Sequence, residues 1–319
     1  MRFLVIGARG AIGRAAASAL RTAGHHITPA GRSAPDDGIA IDLSTGAGRT
    51  ALRDAAADHD VVINASGVED PRIAELLGGA VLVDASATAE YLAQLSAAVA
   101  DAGASSVLGA GLAPGLSTLL VAAVASEPGD DVDLAIVLGG GETHGAAAVE
   151  WTAALAGRKV WGASEEGAVF NFRQRRRLPT GSGERSCLRA DFPDDLLIGR
   201  ARGVAVRSFL ATDSALTTAA LRLVGSFPAL SRLVSRAPHL GSDQWSLTAV
   251  NRRTREVVTA KGAGQSQTTG ELVALAAAMA ARTQISGVVT SADLFTLDDV
   301  ARGGIEQVHV HAQISRTQP

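Results

Sequence analysis

The chain opens MRFLVIGARGAIGRAAASAL, and this opening constrains the fold more than any other stretch. A short apolar run enters Gly7, Gly10 and Gly13 directly, at a spacing of three, and an alanine-rich stretch follows. Residues 3–7 read as a buried strand of a parallel sheet. Residues 11–24 read as a helix that Gly24 ends. A glycine at the first position permits a tight turn. At the second it lets backbone approach a phosphate, and at the third it lets helix and strand pack closely. The helix start then offers free N–H groups and the positive end of its dipole to an anion. The spacing G-x-x-G-x-x-G is a weak signal alone, because the chain has 35 glycines. Its place at first strand, first turn and first helix makes it specific. It points to a dinucleotide, with Gly7, Arg9, Gly10, Ala11, Ile12 and Gly13 around the pyrophosphate. A glycine-rich turn without a ligand is the alternative.

The second strand, residues 25–33, ends in Gly31-Arg32-Ser33. An NAD site carries an acid there for the ribose hydroxyls. A guanidinium instead pairs with a 2′-phosphate through two parallel bonds, and a hydroxyl adds a third. Arg32 and Ser33 therefore favour NADP(H) over NAD(H). Further strands are expected at 38–45, 60–67, 80–87 and 106–115, separated mostly by helical stretches. Asp42, at the end of the first of these, is expected to face the adenine. This alternation predicts an α/β chain with a doubly wound parallel sheet, whose ligands sit beyond the carboxyl ends of the strands. That rule adds Ala65, Ser66, Gly67, Ala85 and Ser86 to the cofactor site. It also nominates the loop containing Gly111, Pro114 and Gly115 for the substrate.

Past residue 113 the pattern becomes a mixed α+β one. Helices are expected at 115–127, 146–157 and 214–226, with a long one from about residue 269. Strands are expected at 131–140, 159–163, 167–173 and 203–211, with a hairpin over 243–262. The run RQRRR, near residues 173–177, reads as a solvated loop, with an anion site as the alternative. The segment 264–271 opens the long helix. Thr268 and Thr269 can there hold a substrate carboxylate or merely cap.

Several classes are excluded by missing residues. The formal net charge of −3 gives no footprint for nucleic acid or an anionic membrane. No apolar stretch is long enough to span a bilayer. A single cysteine, Cys187, precludes a disulfide framework and fits a reducing cytoplasm. It also lacks the glycine-rich turn or helix start that would activate a thiolate nucleophile. The sole tyrosine, Tyr91, has Leu95 rather than lysine four positions later, which excludes tyrosine–lysine dehydrogenase chemistry. His309 and His311 share one face of an expected strand, but two imidazoles do not complete a zinc site, and no metal is expected.

The patches GARGAIG, GRS, VVINASG and VLVDASATAEYLAQL, then GAGLAPGLSTLL, then KGAGQSQTTGELVALAAAMAA with GVVTSADLFTLDDV, together resemble the saccharopine dehydrogenase-like oxidoreductases. The resemblance lies in their order. It implies a Rossmann domain over 1–113, a substrate and dimerisation domain over 114–268, and a return helix and closing segment over 269–319. It implies NADP(H), an amino acid or imine as substrate, and a homodimer. The chain is shorter than the lysine-pathway enzymes, which speaks against saccharopine itself as substrate.

Hydride transfer to an imine needs a proton donor with a pKa near working pH. GGGETHGAAAVEW places Glu142 and His144 between a strand and a helix. His144 is the candidate general acid and Glu142 its orienting partner. Capping by Thr143, with His144 merely exposed, is the rival reading. A redox-inert NADP(H)-binding sensor, or a non-redox enzyme retaining its dinucleotide, remains the alternative function.

Overall fold

In the computed structural model, the opening apolar run forms β1 (Arg2–Ile6) and the alanine-rich stretch forms α1 (Ala11–Thr22). The structure describes residues 1–124, 126–141, 146–227, 229, 241–302, 305 and 308–313. It continues with β2 (His26–Gly31), β3 (Ile39–Ala40), α2 (Gly46–Ala56), β4 (Val61–Asn64), β5 (Val81–Asp84), α3 (Ala89–Asp101) and β6 (Ser105–Leu108). Next come α4 (Leu116–Ala123), β7 (Asp131–Leu138), α5 (Ala146–Leu155), β8 (Arg175–Thr180), β9 (Gly183–Arg189), β10 (Ala205–Thr212), α6 (Ala215–Ser226), β11 (Gln244–Asn251) and β12 (Val257–Ala263). The chain ends with α7 (Gln265–Thr283), β13 (Gly287–Thr290), two short helices α8 (Ser291–Leu294) and α9 (Leu297–Arg302), and β14 (His309–Gln313).

Two compact units result. The first holds Met1–Leu116 with Ser266–Ile305, and the second holds Ser117–Gln265 with β14. The first unit is a seven-stranded sheet in the order β13-β6-β5-β4-β1-β2-β3, parallel at every pairing. Phe3, Leu4, Val5 and Ile6 are at most 1% exposed, as both faces of a central parallel strand require. The expected α/β doubly wound architecture is thus present. The switch of winding direction falls between β1 and β4, so the crevice beyond their carboxyl ends is the natural ligand position.

The second unit is a mixed seven-stranded sheet, in the order β14-β12-β11-β7-β10-β9-β8, with β7 and β10 parallel and the other pairs antiparallel. It curls. A Cβ on Gly181, at the β8–β9 turn, would lie 2.8 Å from the Ser246 Cβ and 3.4 Å from that of Lys261, so the turn reaches across to β11 and β12. The concave face closes over Ala135, Val137, Leu178, Cys187, Phe209 and Ala211. Arg176 lies over the Phe209 ring and pairs with Asp133, which is 3% exposed.

Three expectations change here. The run at 173–177 is not a solvated loop, because Arg175–Arg177 belong to β8 and Arg176 is half-buried on Asp133. The expected strands at 159–163 and 167–173 are loops joined by one bridge, Lys159 to Phe170. The strand expected over 38–45 shrinks to Ile39–Ala40, since Asp42 and Thr45 turn the chain into α2. The long helix begins at Gln265, inside the segment expected to open it, with Thr268 closing its first turn and Thr269 starting its second.

Candidate functional site

The three opening glycines do three different things. Gly7 has φ +84°, and a Cβ there would meet the Ala65 carbonyl oxygen at 2.4 Å. Its N–H and that of Ala8 both donate to the Ala30 carbonyl, at 2.9 and 3.2 Å, pinning the turn between β1 and β2. A Cβ on Gly13 would meet the Gly7 oxygen at 2.3 Å, so α1 can sit this close to the turn with glycine there. Gly10 is roomier, with the nearest atom, the Gly7 oxygen, 3.2 Å from its Cβ position. It caps α1 with extended backbone and no side-chain bond, and the first turn of α1 carries no acid. The N–H groups of Ala11, Ile12 and Gly13 have no acceptor among the described residues, as at any helix start. The turn is therefore a cradle with free donors, shaped by positions that exclude a side chain.

Beside it, the Arg9 guanidinium donates to the Ser33 carbonyl at 2.7 Å and to the Ser33 hydroxyl. This joins the glycine turn to the loop after β2, and Arg9, Arg32 and Ser33 are all exposed. Asp42 does not compete for this region. Its carboxylate accepts from the Ser44 N–H at 3.0 Å and the Ser44 hydroxyl at 2.7 Å. Those bonds, and then the charge of Arg32, hold it below the usual carboxylate range.

The ends of β4 and β5 are tied together by a buried polar network. The Ser66 hydroxyl donates to Asn64 Oδ1 at 2.7 Å, and Asn64 Nδ2 donates to Asp84 Oδ2 at 2.8 Å. Asp84, fully buried, also accepts from the Ser86 N–H at 2.8 Å and the Tyr91 hydroxyl at 3.0 Å. Burial pushes the pKa of Asp84 up, and burial with the Asp84 charge pushes Tyr91 up, so Tyr91 stays a protonated donor. The network fixes Ala65, Ser66, Gly67, Ala85 and Ser86 at the strand ends, where every side chain is small. Motif reading misses Asn64, Asp84 and Tyr91. Their signal is a polar residue ending each apolar run, VVIN and VLVD.

After β6 the chain folds back on itself. The Gly111 N–H donates to the Pro114 carbonyl at 2.9 Å, and Gly115, at φ +135°, would place a Cβ 2.0 Å from the Gly111 oxygen. Thr269 Cγ2 lies 2.9 Å from the Cβ position of Gly111, so Gly111 and Thr269 are brought together. Thr268 is fully buried and already bonded. Gly270 seats α7 on α1, its Cβ position being 2.4 Å from the Ala15 Cβ and 2.7 Å from the Ile12 oxygen.

Glu142 and His144 lie outside the described residues. Cys187 is wholly buried and its thiol is pushed up to about 11 by that burial, which removes it as a nucleophile. His309 and His311 stand on one exposed strand face in register with Lys261 and Thr259. No group of three or more His, Cys, Asp or Glu suited to a metal occurs among the described residues. Among them, no helix is long and apolar enough to cross a membrane.

No family model matches the chain, and no curated protein matches it. Among solved structures, it is similar to a six-substitution variant of meso-DAP dehydrogenase with DAP from Clostridium tetani E88. Identity is 13%, coverage 94% of this chain and 98% of that one, and the TM-score 0.47. It is also similar to the 3-alpha-hydroxysteroid dehydrogenase from Pseudomonas sp. B-0831 complexed with NADH. Identity is 20%, coverage 37% and 49%, and the TM-score 0.21. At these scores the likeness is a general one.

Proposed function

We propose that the chain is an NADPH-dependent oxidoreductase acting on an imine or amino-acid-like substrate, of the saccharopine dehydrogenase-like type. One observation carries the reading. The glycine turn at the β1–β4 switch is closed to side chains at Gly7 and Gly13, less tightly so at Gly10, and carries three free N–H donors. A pyrophosphate fits that donor set. Arg9, Arg32 and Ser33 would hold the 2′-phosphate, and the absence of an acid at residues 31–33 removes the group that would repel it. Ala65, Ser66, Ala85 and Ser86 would leave room for the nicotinamide, which supplies or accepts the hydride when bound. Gly111, Pro114, Gly115 and Thr269 would bound the substrate side. His144, oriented by Glu142, would hold the proton delivered to nitrogen or oxygen. A homodimer formed through the second unit belongs to this reading.

A redox-inert nucleotide-binding protein is the second reading. The small side chains at the ends of β4 and β5 favour it, since none of them titrates near neutral pH. Fluorescence titration with NADPH and NADH separates the possibilities. NADPH is expected to bind tighter, and Arg32→Gln should weaken it about tenfold or more while leaving NADH unchanged. Saturable binding of neither nucleotide sinks the proposal. Tight binding without NADPH consumption, across pools of amines with keto acids, selects the inert reading. Loss of turnover in His144→Ala at unchanged NADPH affinity supports the enzyme.

A further inference from the structure

The second unit contains a cleft that the proposed reaction does not use. Its volume is about 470 Å³. The β8–β9 register sets Arg175 opposite Leu188 and Arg177 opposite Ser186 on one face of the sheet. Over this face α6 presents Ala215, Thr218, Ala219 and Arg222, at the i, i+3, i+4, i+7 spacing of one helix side. The two alanines leave the space, and Leu188, 2% exposed, forms part of an apolar floor.

Three arginines line this cleft: Arg175, Arg185 and Arg222. Arg185 is held in place, its Nε donating to the Ser182 hydroxyl at 3.1 Å and its Nη1 to the Asp213 carbonyl at 2.8 Å. Both acceptors are neutral, so its charge is not compensated by them. Arg175 and Arg222 have no acidic partner among the described residues. Among the described residues Glu184 is the one acid in the lining, and it pairs with Arg177 at 3.2 Å, with both side chains more than half exposed. A solvated arginine by itself signifies little. Three in one concavity are different. The apolar floor strengthens their joint field, and the unpaired forks of Arg175 and Arg222 can each grip a carboxylate or phosphate bidentately. The volume suits a small molecule.

We infer that this cleft binds a small polyanion, a molecule carrying two or more carboxylate or phosphate groups. The two sources share their oxyanion chemistry and are separated by experiment. Calorimetric titration of the full chain at low ionic strength uses citrate in one arm and inorganic pyrophosphate in the other. Saturable binding of at least one of them is expected, weakened by added salt. Citrate above pyrophosphate marks a carboxylate site, and the reverse order marks a phosphate site. Arg175→Gln with Arg222→Gln changes two exposed side chains and should weaken binding at least tenfold. Ser186→Glu, which sets a competing carboxylate on the exposed floor, should do the same independently. NADPH titration of these variants should match the unchanged chain, which keeps the inference separate from the nucleotide reading. It is overturned if neither anion saturates, if both variants bind as tightly as the unchanged chain, or if they lose NADPH to the same extent.

Discussion

At the residue scale, the glycine turn separates structural need from ligand need. Gly13→Ala drives a Cβ to 2.3 Å from the Gly7 oxygen, a backbone atom that cannot swing away. Overpacking of this kind costs about 1–3 kcal/mol. Gly10→Ala meets its nearest atom at 3.2 Å and needs a shift of only a few tenths of an ångström. The expected result is a melting temperature close to the unchanged protein for Gly10→Ala, with NADPH affinity reduced about tenfold or more, because the new methyl would stand where the proposed pyrophosphate approaches. Gly13→Ala should lose stability first. Thermal melts and NADPH titrations of both variants check this, and equal melting losses would contradict the assignment. Asp194 makes a second residue-scale case. It is fully buried, it accepts from the Ser117 hydroxyl at 2.6 Å through one oxygen, and its other oxygen has no partner among the described residues. Burial pushes its pKa up to about 6 from 3.8. A raised folded-state value means the folded chain holds the proton longer than the unfolded one. The stability it contributes is therefore full below about pH 4 and lost as pH rises to about 6. A rise of that size is worth about 2–3 kcal/mol. Asp194→Asn should gain that much relative to the unchanged protein between pH 4 and pH 7 in denaturant melts. A difference independent of pH would remove Asp194 as the cause.

At the element scale, sequence is informative where a strand is buried on both faces. FLVI, VVIN and VLVD are unbroken apolar runs because β1, β4 and β5 lie inside a parallel sheet. The switch-point glycines are legible for the same reason, since they follow the first such run. β8 and β9 are not legible. RRRLPT and GERSCLR carry no apolar alternation, because the curled sheet lets arginines cover the concave face with their stems while their heads find acids. β13 is hidden for a different reason: four residues, GVVT, extend the sheet from its edge after the chain has left and returned. The network of Asn64, Asp84 and Tyr91 is invisible because its parts are 20 and 7 residues apart and meet only when β4, β5 and α3 assemble. Arg176 tests the account of β8. Arg176→Ala would leave Asp133, 3% exposed, with Arg252 at 3.9 Å as its remaining cation among the described residues. Uncovering a buried carboxylate this way should cost about 3 kcal/mol in urea unfolding. Arg177→Ala, whose pair with Glu184 is exposed, should cost less than about 1 kcal/mol. Similar losses for the two would show that β8 is held by its strand pairing and not by the Arg176 plug.

At the scale of the whole molecule, the chain crosses between its units more than once. It builds six strands of the first sheet, leaves at Leu116, and returns through α7 to add β13 beside β6. It then contributes β14 to the second sheet beside β12. Each sheet therefore has one edge strand drawn from the last part of the sequence. Removing residues 284–319 would strip β13 from one sheet and β14 from the other while leaving α7 in place. Exposed sheet edges invite pairing with other chains. Strand loss also uncovers apolar neighbours, such as Val107 and Leu108 on β6 and Val258 and Ala260 on β12, all at most 2% exposed in the intact chain. The shortened chain should bind a hydrophobic dye, sediment as aggregates, and lose nucleotide affinity, because β6 leads directly into the loop at Gly111–Gly115. Removing residues 314–319 alone spares every strand among the described residues, and that chain should keep the parent's assembly state and its NADPH affinity. If the longer truncation bound NADPH as tightly as the full chain, β13 would be dispensable to the proposed nucleotide site, and the first six strands would suffice to hold the glycine turn.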